Sequence, residues 1–406
     1  MLVYIINSHG KPLMPCKPSK ARKLLKQKKA KVVKREPFTI QLLYGSTGYK
    51  QQINLGVDCG SKMIGISATT KTQELYSAEV ELRNDIVDLL STRRQYRRTR
   101  RNRLRYRKAR FQNRVKSKKK GWLAPSIENK INTHIKVIKD IHKILPITNI
   151  IVETASFDIQ KINNPDIKGV DYQKGNQLGF WNVREYVLFR DNHKCCVKGC
   201  KEKILNVHHI ESRKIGGDAP NNLITICEKH HKQYHNGELK LNLKRGKSFK
   251  DATFMGIMRW TFYNRLKQIY PNVKNTYGYI TKNTRITNNL PKEHRVDARC
   301  ISGTPLAKEL DCWYYVKQIR KHNRQIHKAK ILKGGKKKLN QAPYLVKGFR
   351  LFDKVEFEGK VGFIFGRRST GYFDIRTLDG TNIHKNASYK KLKLINIRKS
   401  FIIERR

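Results

Sequence analysis

The chain has 406 residues, 38% of them hydrophobic, and sets 88 Lys and Arg against 31 Asp and Glu for a formal charge of +57. That length holds two to four domains, and so large a surplus repels itself unless a polyanion neutralises it, which points to nucleic acid. No run of about 18 apolar residues is present, so no membrane partner is expected, while an enzyme and a ribosomal-type structural protein both remain open.

The first residues lack a basic head and a long apolar core, so no secretion signal is expected. Of the eight cysteines, four lie between Cys195 and Cys227 among clustered histidines. This favours metal binding in a reducing, cytoplasmic setting over a disulfide framework.

Residues 1–50 read as a small basic module, either a structural appendage or a nucleic-acid contact. Residues 3–6 predict a strand, and Pro12-Leu13-Met14-Pro15 a rigid turn. Ser19 is placed to cap a helix through Ala21, Leu24 and Leu25, and residues 32–33 and 38–43 read as strands. In residues 51–92 the apolar runs at 53–57, 63–69 and 74–82 predict a three-stranded antiparallel meander. Its first strand runs out at Asp58, beside Gly60, so that a carboxylate faces a ligand while Ile53, Leu55 and Val57 stay in the core.

Residues 93–120 hold 16 basic side chains in 28 positions, with no acid, Pro or Gly. They predict a helix. Charged almost all round, it is stable only against a partner of opposite charge. Arg93, Arg94, Arg97, Arg98, Arg100, Arg101, Arg103, Arg105, Arg107, Arg110 and Arg114 suit phosphate through the bidentate guanidinium fork. In residues 121–180 an amphipathic helix is predicted over 126–145, stopped by Pro146, and then a strand over 150–153 that ends on Glu153.

Residues 181–245 differ in composition and read as an inserted module. Within 246–335 an amphipathic helix is predicted over 253–270, a strand or hairpin over 277–286, and a helix over 292–300 carrying His294 and Asp297. Residues 313–316 fit a strand or a packed helix segment. In 336–406 short β-like runs punctuated by Gly359, Gly366, Gly371 and Gly380 predict a small barrel-like β domain.

Asp58, Glu153 and Asp297 offer hard oxygen donors that suit Mg²⁺. Two such ions between carboxylates activate water and stabilise the leaving oxygen in phosphodiester cleavage. His294, three residues before Asp297 on the same helical face, is placed to orient or deprotonate that water. The plainer alternative is that each acid caps a helix or a turn.

In the inserted module, Cys195-x4-Cys200 and Cys227-x2-His230 form a Cys₃His set suited to structural zinc, with Cys196 left aside. His208 and His209 follow an apolar run, and neighbours on a strand point to opposite faces. One can hold a metal while the other serves as base. Asn222 and His231 come later, and His235 reads as an outer or surface residue.

With these motifs together, the chain resembles the IscB family, compact transposon-associated RNA-guided DNA endonucleases related to the Cas9-type enzymes. The histidine–asparagine–histidine pattern in 195–231 resembles an HNH nuclease module. The segments around Asp58, Glu153 and His294–Asp297 resemble a RuvC-like nuclease split in three. The Arg-rich run resembles a bridge helix, and Pro12-Leu13-Met14-Pro15 the PLMP domain. The resemblance implies an α/β multidomain architecture. A split RNase H-like core would carry an inserted zinc-containing HNH (ββα-metal) module, an Arg-rich bridge helix and a small C-terminal β-barrel-like domain. The segments would be PLMP at 1–50, RuvC-like at 51–92, bridge helix at 93–120, RuvC-like at 121–180, HNH at 181–245, RuvC-like at 246–335, and a C-terminal domain at 336–406 for guide RNA and a target-flanking motif.

Further implications concern the sites. Asp58, Glu153, His294 and Asp297 would form a Mg²⁺ centre cutting the displaced DNA strand. His208 and His231 would hold Mg²⁺ in the HNH site, with His209 as base and Asn222 holding it, cutting the guide-paired strand. Zn²⁺ would sit on Cys195, Cys200, Cys227 and His230. The partners implied are a structured guide RNA and a target duplex, the protein being a monomer in a ribonucleoprotein of the prokaryotic cytosol. Two other readings stay open: a DNA-only endonuclease of homing or junction-cleaving type, and a non-catalytic RNA-binding scaffold.

Overall fold

The computed structural model describes residues 2–86, 88–95, 121–154, 166–169, 171, 175–213, 217–246, 249–320, 329–331, 337–339 and 342–406. The chain forms two compact units, Met1–Ser156 with Met255–Arg406, and Phe157–Phe254. It is a mixed α/β protein with several sheets, and among the described residues no helix is long and apolar enough to cross a membrane. Of the Arg-rich run, residues 93–95 are helical and residues 96–120 lie outside the described residues, including Arg97, Arg98, Arg100, Arg101, Arg103, Arg105, Arg107, Arg110 and Arg114.

The first unit opens with strands β1 (Val3–Ile6) and β2 (Pro12–Cys16), helix α1 (Pro18–Lys26), and strands β3 (Ala30–Lys34) and β4 (Thr39–Leu42). They form a sheet of order β2-β1-β4-β3 around a small core of Val3, Ile5, Leu13, Leu24 and Ile40. Two expectations are corrected here. The Pro12–Pro15 segment is a strand, not a turn. It forms the sheet edge, where the missing proline N–H groups leave no ladder bond unmade. Ser19 does not cap α1: Pro18 takes the first helical turn and Lys17 the cap, consistent with the fixed φ of proline.

Strands β5 (Asn54–Cys59), β6 (Met63–Thr69) and β7 (Glu74–Glu81) form the antiparallel meander. The first strand runs one residue past Asp58, so that acid lies within it. Helix α2 (Pro125–His142) buries Ile131, Ile135, Ile138 and Ile141 along one face. It is followed by β8 (Asn149–Glu153), parallel to β5.

The second unit holds α3 (Val183–Arg190), the antiparallel pair β9 (Leu205–His209) and β10 (Leu223–Cys227), and α4 (Glu228–Asn236). After it come α5 (Lys250–Ile269), β11 (Val273–Thr276), α6 (Gly278–Thr287), α7 (His294–Ile301) and β12 (Tyr314–Gln318). Residues 278–287 are thus helical, where a strand or hairpin was expected. Of residues 313–316, Tyr314 to Val316 resolve as strand.

The pair β13 (Ala329–Ile331) and β14 (Lys337–Leu339) stands alone. Then β15 (Lys354–Phe357), β16 (Lys360–Arg367), β17 (Tyr372–Arg376), β18 (Asn382–Ser388) and β19 (Lys393–Asn396) make a five-stranded antiparallel sheet of order β18-β17-β16-β15-β19. Its two outer strands do not pair, so the expected barrel does not close among the described residues. The last strand, β20 (Phe401–Arg405), pairs with β12 instead.

The large sheet therefore runs β11-β8-β5-β6-β7-β12-β20. Leu55 and Val57 of β5 are fully buried. Gly56 and Asp58 point to the other face, where α7 packs. A Cβ on Gly56 would lie 1.9 Å from the Ala298 carbonyl oxygen, and one on Gly65 the same distance from that of His294. Those two glycines let α7 lie directly on the sheet.

Candidate catalytic and metal centres

Asp58 and Glu153 sit side by side at one end of the sheet. Val57 of β5 pairs with Val152 of β8, and each acid is the next residue along its parallel strand. From α7, His294 places its Nδ1 2.6 Å from Asp58 Oδ2. One helical turn on, Asp297 pairs with Arg285 of α6, whose Nε is 2.8 Å from Oδ1. That N–H points off line, so Oδ1 keeps no hydrogen bond although it is buried. Thr281, four residues before Arg285 on the same face of α6, donates from Oγ1 to Glu153 Oε2 at 2.8 Å.

The electrostatics of this corner are those of crowded carboxylates. Burial and then the charge on Asp58 push Glu153 up to about 7, with Asp297 adding to the effect. Burial and Asp58 likewise raise Asp297, against the opposing pull of Arg285. The hydrogen bond to Asp58 raises His294. Each acid is thus matched to its own partner: Asp58 to His294, Glu153 to Thr281, Asp297 to Arg285. Their oxygens do not all lie within 4.8 Å of one another, unlike the two Cys/His groups below. The donor set fits a hard divalent cation, because three crowded carboxylates repel one another and offer hard oxygen donors. Thr281 and Arg285 were not expected at this corner. The run of β-branched and tyrosine residues around them reads as strand, and only the i, i+4 spacing of the pair hints at a shared helical face.

In the second unit, the Sγ atoms of Cys195, Cys200 and Cys227 and a ring nitrogen of His230 lie within 4.8 Å of one another. Cys227 caps α4, its Sγ accepting from the His230 N–H, with His230 Nδ1 3.1 Å from the same sulfur. Cys200 Sγ is 3.8 Å from Cys227 Sγ, and Cys195 Sγ is 3.6 Å from His230 Nδ1. This Cys₃His cluster can bind a metal such as zinc. Cys196 stays outside it.

A second group joins His208 of β9 to His231 and His235 of α4. The ring of His208 lies 5.1 Å from that of His231 and 5.2 Å from that of His235, and the Nε2 atoms of His231 and His235 are 3.2 Å apart. Burial first, then the adjacent imidazoles, lower His208 to about 4, so it is neutral at physiological pH, the state that ligates metal. His235, exposed on α4 as expected of a surface residue, nevertheless brings its ring into this group. The clue was its i, i+4 spacing from His231.

His209 points away from that cluster, with Nε2 2.9 Å from Asp218 Oδ1. Asp218 is itself held by Arg213 and lies below the usual carboxylate range because of its bonds to His209 and Arg213. Asn222 is fully buried. Its amide donates to the carbonyls of Glu211 and Gly217 and accepts from the Glu211 N–H. It ties Glu211 to Gly217, and the group bonded to His209 is Asp218.

No curated protein matches the chain. A family model described as RRXRR protein matches residues 3–175, which takes in the first sheet, the Arg-rich run, Asp58 and Glu153, and stops short of the Cys/His groups and of Asp297.

Proposed function

We propose that the chain is an RNA-guided DNA endonuclease of IscB type with two separate Mg²⁺-dependent centres. The observation that carries this reading is the arrival of Asp58, Glu153 and Asp297, from three segments far apart in sequence, at one corner of one sheet. The strand order β7-β6-β5-β8-β11 at the heart of that sheet, an antiparallel meander continued by parallel strands, suits an RNase H-like core. The match of residues 3–175 to the RRXRR model is consistent with a nuclease of this kind.

In this reading residues 1–50 are the PLMP domain and residues 93–120 the bridge helix on guide RNA. Residues 51–92, 121–180 and 246–335 build the RuvC-like core, 181–245 the HNH module, and 336–406 the C-terminal domain that meets RNA and the target-flanking motif. The surplus of positive charge is completed by the RNA, and base pairing chooses the target.

At the first centre Asp58, Glu153 and Asp297 would hold Mg²⁺, which when bound supplies charge stabilisation at the attacking and leaving oxygens. His294 orients Asp58 through its ring nitrogen. Thr281 fixes Glu153, and Arg285 offsets the charge on Asp297. At the second centre His208, His231 and His235 would hold the ion. Asp218 grips one nitrogen of His209 and leaves the other to take a proton from the attacking water as the phosphorus–oxygen bond to the leaving group breaks. Asn222 holds the loop that carries Asp218 in place.

Strand-resolved cleavage of a doubly labelled target tests the assignment. Asp58→Ala should leave a nickase that cuts only the guide-paired strand, and His209→Ala the opposite nickase. Residual double-strand cleavage in Asp58→Ala, or loss of both cuts in either variant, would contradict it.

A further inference from the structure

Helix α6 presents two faces at the Asp58 corner. One face, through Gly278, Thr281 and Arg285, lies against the carboxylates. A Cβ added to Gly278 would come within 3.0 Å of Glu153 Oε1, and Thr281 and Arg285 bond Glu153 and Asp297. On either side of Gly278 stand Tyr277 and Tyr279. Both are exposed, at 43% and 66%. Their rings are nearly parallel, 10° apart in plane, with centroids 6.1 Å from each other. Among the described residues no core side chain covers the outer faces of this pair, and Gly278 between them lies beside the acids. Lys282, exposed, stands on the next turn, three residues on from Tyr279.

We propose that Tyr277 and Tyr279 form a stacking platform for the bases of a single nucleic-acid strand, seating its backbone on the Asp58, Glu153 and Asp297 centre with Lys282 on a flanking phosphate. The inference rests on the phosphodiester-cleaving reading of that centre, and not on guidance by RNA. Exposed parallel aromatic rings bind bases through their π faces without regard to sequence. A duplex keeps those faces stacked on its own neighbours, so the platform selects an unpaired strand. An apolar protein partner is disfavoured, because the platform borders three carboxylates and an exposed ammonium.

The test uses the full-length protein with whatever RNA copurifies. A single-stranded oligodeoxynucleotide carrying 2-aminopurine is titrated onto the Asp58→Ala protein, where stacking quenches the fluorescence. Adding Tyr277→Ala and Tyr279→Ala should abolish the quench and weaken binding at this locus roughly 5- to 150-fold, the ~1–3 kcal/mol of one base–aromatic stack. Tyr277→Phe with Tyr279→Phe should keep both. In the cleavage-competent protein the Ala pair should raise KM for the strand cut at the Asp58 centre and leave the other cut unchanged. An unaltered quench in the Ala pair overturns the proposal, and so does equal slowing of both cuts. If the parent protein cuts no DNA, the proposed function fails, while the quench still decides the platform.

Discussion

Gly56 and Gly65 have no chemistry, yet they set the distance between sheet and helix on which the acidic corner depends. A methyl group at either would run into a helix backbone carbonyl, not a side chain that could swing away. Gly56→Ala and Gly65→Ala should each cost about 3 kcal/mol of stability, measured by urea unfolding. They should also lose cleavage at the Asp58 centre before cleavage at the His209 centre. Neither glycine stands out in the sequence, because a strand glycine looks the same whether it faces solvent or a helix. Asp58, Glu153 and Asp297 were visible as candidates, since each closes an apolar run or opens a helix. Their partners were not: what bonds a carboxylate is decided by which distant residues the fold brings to it. Arg285 makes this concrete. Its Arg285→Ala variant leaves Asp297 buried beside two other acids, so the protein without divalent cation should lose roughly 3 kcal/mol. Millimolar Mg²⁺ should shrink that deficit in thermal unfolding, and a deficit indifferent to Mg²⁺ would contradict the electrostatic role given to this arginine.

Among the elements, α2 and the meander were readable because their periods of 3.6 and 2 are strong and their breakers are clear. Residues 278–287 were not. Tyrosine, threonine and isoleucine at alternating places favour a strand locally, and docking of Thr281 and Arg285 on the acids overrides that preference. The Pro12–Pro15 strand escaped for a related reason, since proline is a turn former except at a sheet edge, and edges are a property of the whole sheet. β20 likewise follows a β-rich stretch in sequence but pairs elsewhere in space. Within α2, His134 is fully buried against Phe262, 5.3 Å between ring centres, and bonds the Lys130 carbonyl through Nδ1. Burial lowers it from 6.5 to about 4. Between those values the unfolded chain binds a proton that the folded one does not, so stability falls as pH drops from 6.5 to 4. His134→Gln should remove up to about 3 kcal/mol of that fall, read from urea unfolding at a series of pH values. An unchanged pH slope would mean that His134 is not the group responsible.

At the scale of the whole molecule, charge was the plainest message of the sequence. The +57 surplus has few intramolecular outlets, for only 31 acids are present and several of those are committed to the centres or to local pairs such as Arg376 with Asp374. The two units each carry their own chemistry: hard carboxylates on the large sheet, and cysteine sulfurs and imidazoles in the second unit. In the proposed reading a polyanion completes that charge. The most direct measurement is cleavage of a strand-labelled duplex by the purified complex before and after its bound RNA is digested and replaced. The account predicts that both strands are cut only when the RNA is present and matched to the target. Material that carries no RNA, or that cuts the duplex equally well without it, would contradict the central claim.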